Sequence, residues 1–181
     1  MLYEKNIYVH ILTKLSALRD QQNREVVRWV DFDMGQLEME TPPVSFPCVL
    51  VSFPNADDFT TNRDQSQQGN QTVTLRVAFK LFERTHSKAT PQYRGEALQI
   101  FEVKEAIHNA LQATSGNCFG KLNRVGSRLE PRIDLRVFEL TYDCAVQQAA
   151  PRPDYRPVGD YTNVPITLDL DVDLLRPDGQ P

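Results

Sequence analysis

At 181 residues, 40% hydrophobic and 24% charged, the chain has the length and apolar content of one globular domain with a real core. A net charge of −4 and a pI near 5.4 exclude a general nucleic-acid binder, which needs a basic surface to displace counterions. They leave open a protein that DNA slides past without being gripped.

The start, Met1-Leu-Tyr-Glu-Lys, has no apolar run preceded by positive charge, so no signal peptide is expected. No stretch approaches the length of a membrane span. Cys48, Cys118 and Cys144 are far apart and lack a C-x-x-C, which suits free thiols in a reducing compartment.

Taken in chain order, residues 3–19 read as a helix. Ile7, Ile11, Leu15 and Leu18 recur at helical spacing, and Tyr8 and Leu12 widen the stripe. Residues 24–32 are β-branched and aromatic and predict a strand. Met34-Gly35-Gln36 predicts a turn, and the alternation of Leu37 and Met39 with Glu38 and Glu40 predicts a returning ribbon. Pro42-Pro43 then breaks regular structure.

Cys48-Val-Leu-Val-Ser-Phe53 is a short continuous apolar run, as expected of a central strand buried on both faces. The polar stretch 54–70 predicts a long loop. Over 71–83, Val73, Leu75, Val77, Phe79 and Leu81 alternate with polar or small residues, the clearest strand pattern in the interior of the chain. A second helix is predicted over 91–113, with Pro91 in its first turn and Gly116 as its stop. Its apolar face is Ile100, Val103, Ile107 and Leu111.

Residues 132–147 predict another strand. Its apolar parity switches between Val137 and Phe138, which predicts a β-bulge there. A proline-bearing loop over 149–163 leads to a last strand, Val164–Leu174. In that strand Val164, Ile166, Leu168, Leu170, Val172 and Leu174 alternate with a face carrying Asp169, Asp171 and Asp173. Such a face is either a solvated edge or one kept negative because something negative passes it or something positive docks on it.

Motifs for chemistry are few. Glu105 and His108 have i, i+3 ligand spacing, but a di-metal bundle needs a second such pair on another helix. Gly116-Asn-Cys-Phe-Gly120-Lys121-Leu122 has three residues between its glycines instead of four and Leu where Ser or Thr should bind magnesium, so it is not a phosphate loop. The three aspartates fail as a calcium loop because Leu174 stands where glycine is required. No cofactor, metal or catalytic residue is expected, and the chain is not read as an enzyme.

Charge is more suggestive. Residues 31–40 carry Asp31, Asp33, Glu38 and Glu40 and no basic residue, while Lys121, Arg124, Arg128, Arg132 and Arg136 cluster over 121–136. An acidic and a basic surface on one chain suit a head-to-tail contact between copies. Ordinary mixed surface charge is the alternative.

The layout resembles a family. A short amphipathic helix precedes a Trp29-Val-Asp31 strand with Gly35-Gln36 at its turn. Phe46-Pro-Cys-Val-Leu-Val-Ser-Phe53, a polar stretch, a long alternating strand and a helix ending Ala110-Leu111-Gln112 follow. After Phe119-Gly-Lys-Leu-Asn-Arg124 come two late strands. Over residues 1–148 this is similar to the tail-completion or tail-terminator proteins of long-tailed bacteriophages and prophages.

The resemblance implies a non-enzymatic α+β subunit that forms a ring, typically a hexamer, on the head-proximal end of the tail tube. The ring stops tube polymerisation and joins the tail to the head. Its partners would be its own copies, the tail-tube protein and a head-connector or neck protein, with DNA passing through without specific binding. Its place would be the virion tail or neck, assembled in the host cytoplasm and not in a membrane.

The reading is a single α+β domain over residues 1–175 and a flexible tail over 176–181. Its sheet is antiparallel or mixed with two helices packed on one face. The long alternating strands 71–83 and 164–174 are the expected open edges. Two rivals stand beside the terminator: another neck, head-closure or tube-like subunit, and a cytoplasmic small-ligand-binding α+β domain with a pocket under the 54–70 stretch.

Overall fold

The fold is organised by one long ladder. Strand β4 (Gln67–Phe79) and strand β6 (Arg136–Gln148) pair antiparallel without a break, from Gln67 opposite Gln148 to Phe79 opposite Arg136. The computed structural model describes residues 3–80 and 86–149. The acidic stretch 164–174, the prolines before it and the expected domain limit at 175 lie outside the described residues. Contacts divide the chain into Met1–Ala150, described here, and Pro151–Pro181.

Around this ladder the sheet is mixed, as expected, with six strands among the described residues. Its path runs β1 (Trp29–Phe32), β2 (Cys48–Ser52), β4, β6, β5 (Asn123–Glu130), with β3 (Ala56–Thr61) also pairing β4. Only β1 with β2 is parallel; every other pair is antiparallel. β2 and β3 hang on the same edge of β4. The register slips by one residue between them and by another between Asp57 and Thr60. Pro54, without an N–H, falls in the gap between β2 and β3. Asn55 closes that gap: its carbonyl accepts the Thr72 N–H at 3.0 Å and the Gln71 side-chain amide at 2.6 Å.

Both helices, α1 (Tyr3–Ser16) and α2 (Pro91–Leu111), lie on one face. Ile7, Ile11 and Leu15 of α1 and Ile107 and Leu111 of α2 are fully buried or nearly so, against Val49 and Val51 of β2, Val73, Leu75 and Val77 of β4, and Leu140 and Tyr142 of β6. The other face has a smaller core at one end, of Leu37, Cys48, Leu50, Ala78, Leu135 and Val137. This second core corrects the reading of the parity switch at Val137 and Phe138. Val137 enters the small core and Phe138 the large one, so both are buried in a straight strand. The bulge lies instead on β5, between Arg124 and Gly126.

Four other expectations are corrected. Residues 24–28 are not strand: Asp20 donates its N–H to Arg24, and Val26 donates to Leu18, so this segment folds back on the end of α1. Leu37 and Met39 do not form a ribbon. Gly35 takes φ +81 and opens a 3-10 turn, Gln36–Glu38, that drops Leu37 into the small core. The 54–70 stretch is not a loop but β3 and the start of β4. Its pattern hid it, because every residue of β3 is exposed and no apolar alternation marks it. The 71–83 strand is not an edge, since β4 lies between β2 and β6.

The second helix stops before Gly116. Gln112 donates to the His108 carbonyl and Ala113 takes the left-handed conformation at φ +60. Gly116 instead lies against the Phe119 ring, where a Cβ would collide.

Two substitutions separate the core from the hairpin. Leu140→Ala is expected to cost about 3 kcal/mol, read as a lower urea midpoint at unchanged slope. At Gly69 a Cβ would stand 2.9 Å from the Phe59 ring and from the Asp57 carbonyl. Gly69→Val is therefore expected to leave the midpoint almost unchanged while speeding hydrogen exchange across Asp57–Thr61.

Candidate functional site

On the sheet face away from the helices, charge is concentrated around Arg76, at a polar position of β4. Its Nε and Nη2 donate to the two oxygens of Glu130 at 3.0 and 2.8 Å, Nη1 reaches Asp33 at 3.1 Å, and Nη2 also meets Glu38 at 2.8 Å. Arg132 extends the network. It donates to Glu38 at 2.8 Å, to Asp134 at 2.8 and 3.0 Å, and to the Leu37 carbonyl at 2.7 Å.

Arg76 and Asp33 are largely buried, with side chains 15% and 13% exposed, so this pair keeps most of its strength where an exposed pair would not. Burial opposes the Arg76 charge, but its hydrogen bonds to Glu130, Glu38 and Asp33 outweigh it and hold its pKa above the ordinary value. The hydrogen bond from Arg132 holds the Asp134 carboxyl down to about 2. The bond from Arg76 likewise lowers that of Glu38. Bonds of this kind, guanidinium to carboxylate and to the Leu37 carbonyl, hold shape rather than move protons. They bind the 33–38 turn and the 130–134 turn across the small core.

The network joins two of the four acidic residues singled out from sequence, Asp33 and Glu38, to one of the five basic ones, Arg132, within one molecule. Arg128 pairs with Glu139 at 2.7 Å and stays 74% exposed. Among the described residues, Asp31, Glu40, Lys121, Arg124 and Arg136 enter no ion pair. Asp31 accepts the Phe32 N–H, and Arg136 stands over the Phe138 ring.

The hub itself, Arg76 with Glu130, was not legible in sequence. Arg76 occupies an ordinary polar slot of an alternating strand, and its partners lie 38 to 54 residues away. Asp169, Asp171 and Asp173 lie outside the described residues.

A second feature is the hairpin of β3 and the start of β4. With the end of β6 and the 116–120 turn it walls a trough of about 690 Å³. The turn is tied to β6 by Gly120 N–H to Ala145 O at 2.7 Å and Gln147 N–H to Cys118 O at 3.0 Å. Thr60, Asn62, Gln68, Asn70, Asn117 and Gln147 line it, with Asp58 as its carboxylate. Such a surface offers neutral hydrogen bonds and little charge. Among the described residues no three His, Cys, Asp or Glu side chains come together as metal ligands, and no helix is long and apolar enough to cross a membrane.

The third feature is a pair of sheet edges. β1 and β5 end the path on opposite sides. Trp29 and Phe32 are about 40% exposed on one edge, and Val125 and Leu129 about half exposed on the other. Phe32 is backed by Tyr8 of α1, stacked at 3.9 Å.

The ion network has a pH signature. Asp134 and Glu38 have depressed pKa values in the folded state, so their contribution is full above the ordinary carboxyl values of 3.8 and 4.5. It is lost as pH falls toward about 2, where Asp134 takes up its proton. A stability profile over this window should fall more steeply for the native chain than for Arg132→Gln. Equal slopes would show that the network contributes nothing. At neutral pH, Arg76→Met strands Asp33, leaves Glu130 only the Arg132 guanidinium at 3.7 Å, and is expected to cost about 3 kcal/mol.

No family model and no curated protein matches this chain. Among solved structures, it is similar to a chain in the virion of a native gene transfer agent particle. The match has a TM-score of 0.48 at 13% identity and covers 78% of this chain and 95% of that one.

Proposed function

We propose that this chain is a structural subunit of a phage-type virion. It forms a ring at the head-proximal end of the tail tube, ends tube polymerisation and joins tail to head. The observation that carries the reading is a sheet whose two end strands, β1 and β5, are unlike and pair with no further strand among the described residues, together with a polar hairpin whose β3 is exposed throughout. A subunit that must contact different neighbours on different sides needs such unlike surfaces. The order of helix, strands, helix and two strands is the one that suggested the tail terminators, with β3 in place of the polar loop expected over 54–70. In this reading the hairpin and its neutral trough meet the tube or the next copy. Asp31 and Glu40 serve the acidic side of the contact between copies, and Lys121, Arg124, Arg128 and Arg136 its basic side, while Asp33, Glu38 and Arg132 are engaged within one molecule. Asp169, Asp171 and Asp173 face the passing DNA, which a negative wall does not hold.

One observation favours the ligand-binding rival: the trough lies beside the 54–70 segment, where that rival places its pocket. Electron micrographs of particles made without this protein separate the two. Loss of the protein is expected to give tails of irregular length without heads; normal tails with heads attached would end the terminator reading. Replacing Asp169, Asp171 and Asp173 together by Asn is expected to leave the fold of residues 3–149 intact and to slow DNA delivery. Unchanged infectivity would remove the lumen role.

A further inference from the structure

The register of the sheet lets its second face be read in rows. Directly opposed residues share a face, so one row crosses all five strands of the path: Asp31, Leu50, Arg76, Glu139, Arg128. The row begins on one open edge with a carboxylate and ends on the other with a guanidinium that is 74% exposed. On the helix side the adjacent row is Val30, Val49, Val77, Phe138, Leu129. It begins and ends with an incompletely buried aliphatic side chain.

The edges are therefore complementary position by position. We propose that β1 of one copy pairs with β5 of the next, antiparallel, with Asp31 opposite Arg128 and Val30 opposite Leu129. This rests on the ring reading above and specifies its seam.

Topology supports the direction. β1 is parallel to β2, and the three antiparallel steps from β2 through β4 and β6 leave β5 running opposite to β1. Copies related by rotation about an axis along the strands keep their strand directions, so the seam is antiparallel. The helices then lie on the same wall of every copy.

Length agrees as well. The four residues of β1 lie opposite Ser127–Glu130, within the regular part of β5 beyond its bulge. Charge selects the register. A two-residue slip one way sets Asp31 against Glu130, where like charges repel, and the other way against Gly126. Arg128 already meets Glu139, and its guanidinium has donors to spare for a second carboxylate. The contact is heterologous, so it closes into a ring or runs on as a filament, and does not stop at a dimer.

Paired cysteines test the seam. In a Cys118→Ala background, because Cys118 is the free thiol that is not fully buried, one variant carries Asp31→Cys with Arg128→Cys. A second carries Val30→Cys with Leu129→Cys. Neighbouring antiparallel positions fall within disulfide reach. Mild oxidation is expected to give a ladder of covalent multimers from the double variants and none from the single ones. Dimers from a single variant would mean a two-fold contact and overturn the proposal.

Charge exchange is the second measurement. Asp31→Arg alone is expected to weaken self-association about ten-fold, and adding Arg128→Asp to restore most of it. Ring-sized particles by light scattering with no ladder would overturn this seam and leave the ring reading standing. A ladder from a protein whose loss leaves tails normal would keep the seam and remove the terminator role. No oligomer, even with tail tubes present, would overturn both.

Discussion

Everything in the described unit depends on the pairing of β4 with β6. The ladder is thirteen residues long, about 40 Å at strand rise; β2, β3 and β5 attach directly to its two sides, and β1 is carried on β2. β2 and β3 take one side; β5 and the 118–120 turn take the other. Its helix-side residues, from Val73 to Phe79 and from Phe138 to Val146, form the largest single share of the large core. Such a ladder pairs residues about sixty to eighty positions apart. The chain must therefore close a long loop before it gains most of its contacts, which makes folding slow relative to its size.

Stability is unevenly spread along this ladder. One end is covered on both faces, by helices on one and by the Leu37 turn with its ion network on the other. The other end carries the hairpin, where backbone pairing is the main support and one ring, Phe59, lies on Gly69 and near Tyr3 at 6.1 Å. A structure of this kind opens first at the hairpin and last at Leu75 and Leu140. In the proposed assembly the adaptable hairpin is the part that meets a neighbour, and the rigid end sets the spacing of the edges.

Helices and buried strands were legible because burial writes a period into sequence. Ile7, Ile11 and Leu15 gave α1, and Val73, Leu75 and Val77 gave β4. β3 and β5 left no such mark: their residues are exposed or half-exposed on both faces, and only the ladder beside them makes them strands. The Arg76 network was invisible for a different reason. Ion pairs depend on which segments fold together, and nothing local at Arg76 distinguishes it from a solvated side chain. The acidic and basic stretches were visible as charge runs, but sequence could not say that Glu38 and Arg132 meet within one molecule. Nor could it place Asp31 and Arg128 at the two ends of one row.

The two single-residue slips along β4 compensate for one another. After the first, the side chains of Ala56 and Asp57 point opposite to what the alternation of β2 dictates; after the second, Thr60 and Thr61 are back in phase with it. Facing follows the partner strand, so Thr60 opposite Gln68 and Thr61 opposite Gln67 keep their faces if the extra residue at either slip is lost. Such a loss removes a bulge and leaves the trough wall in place. Length changes of one residue are therefore tolerable at the two slips and damaging inside the paired stretches, where they turn the rest of the strand over.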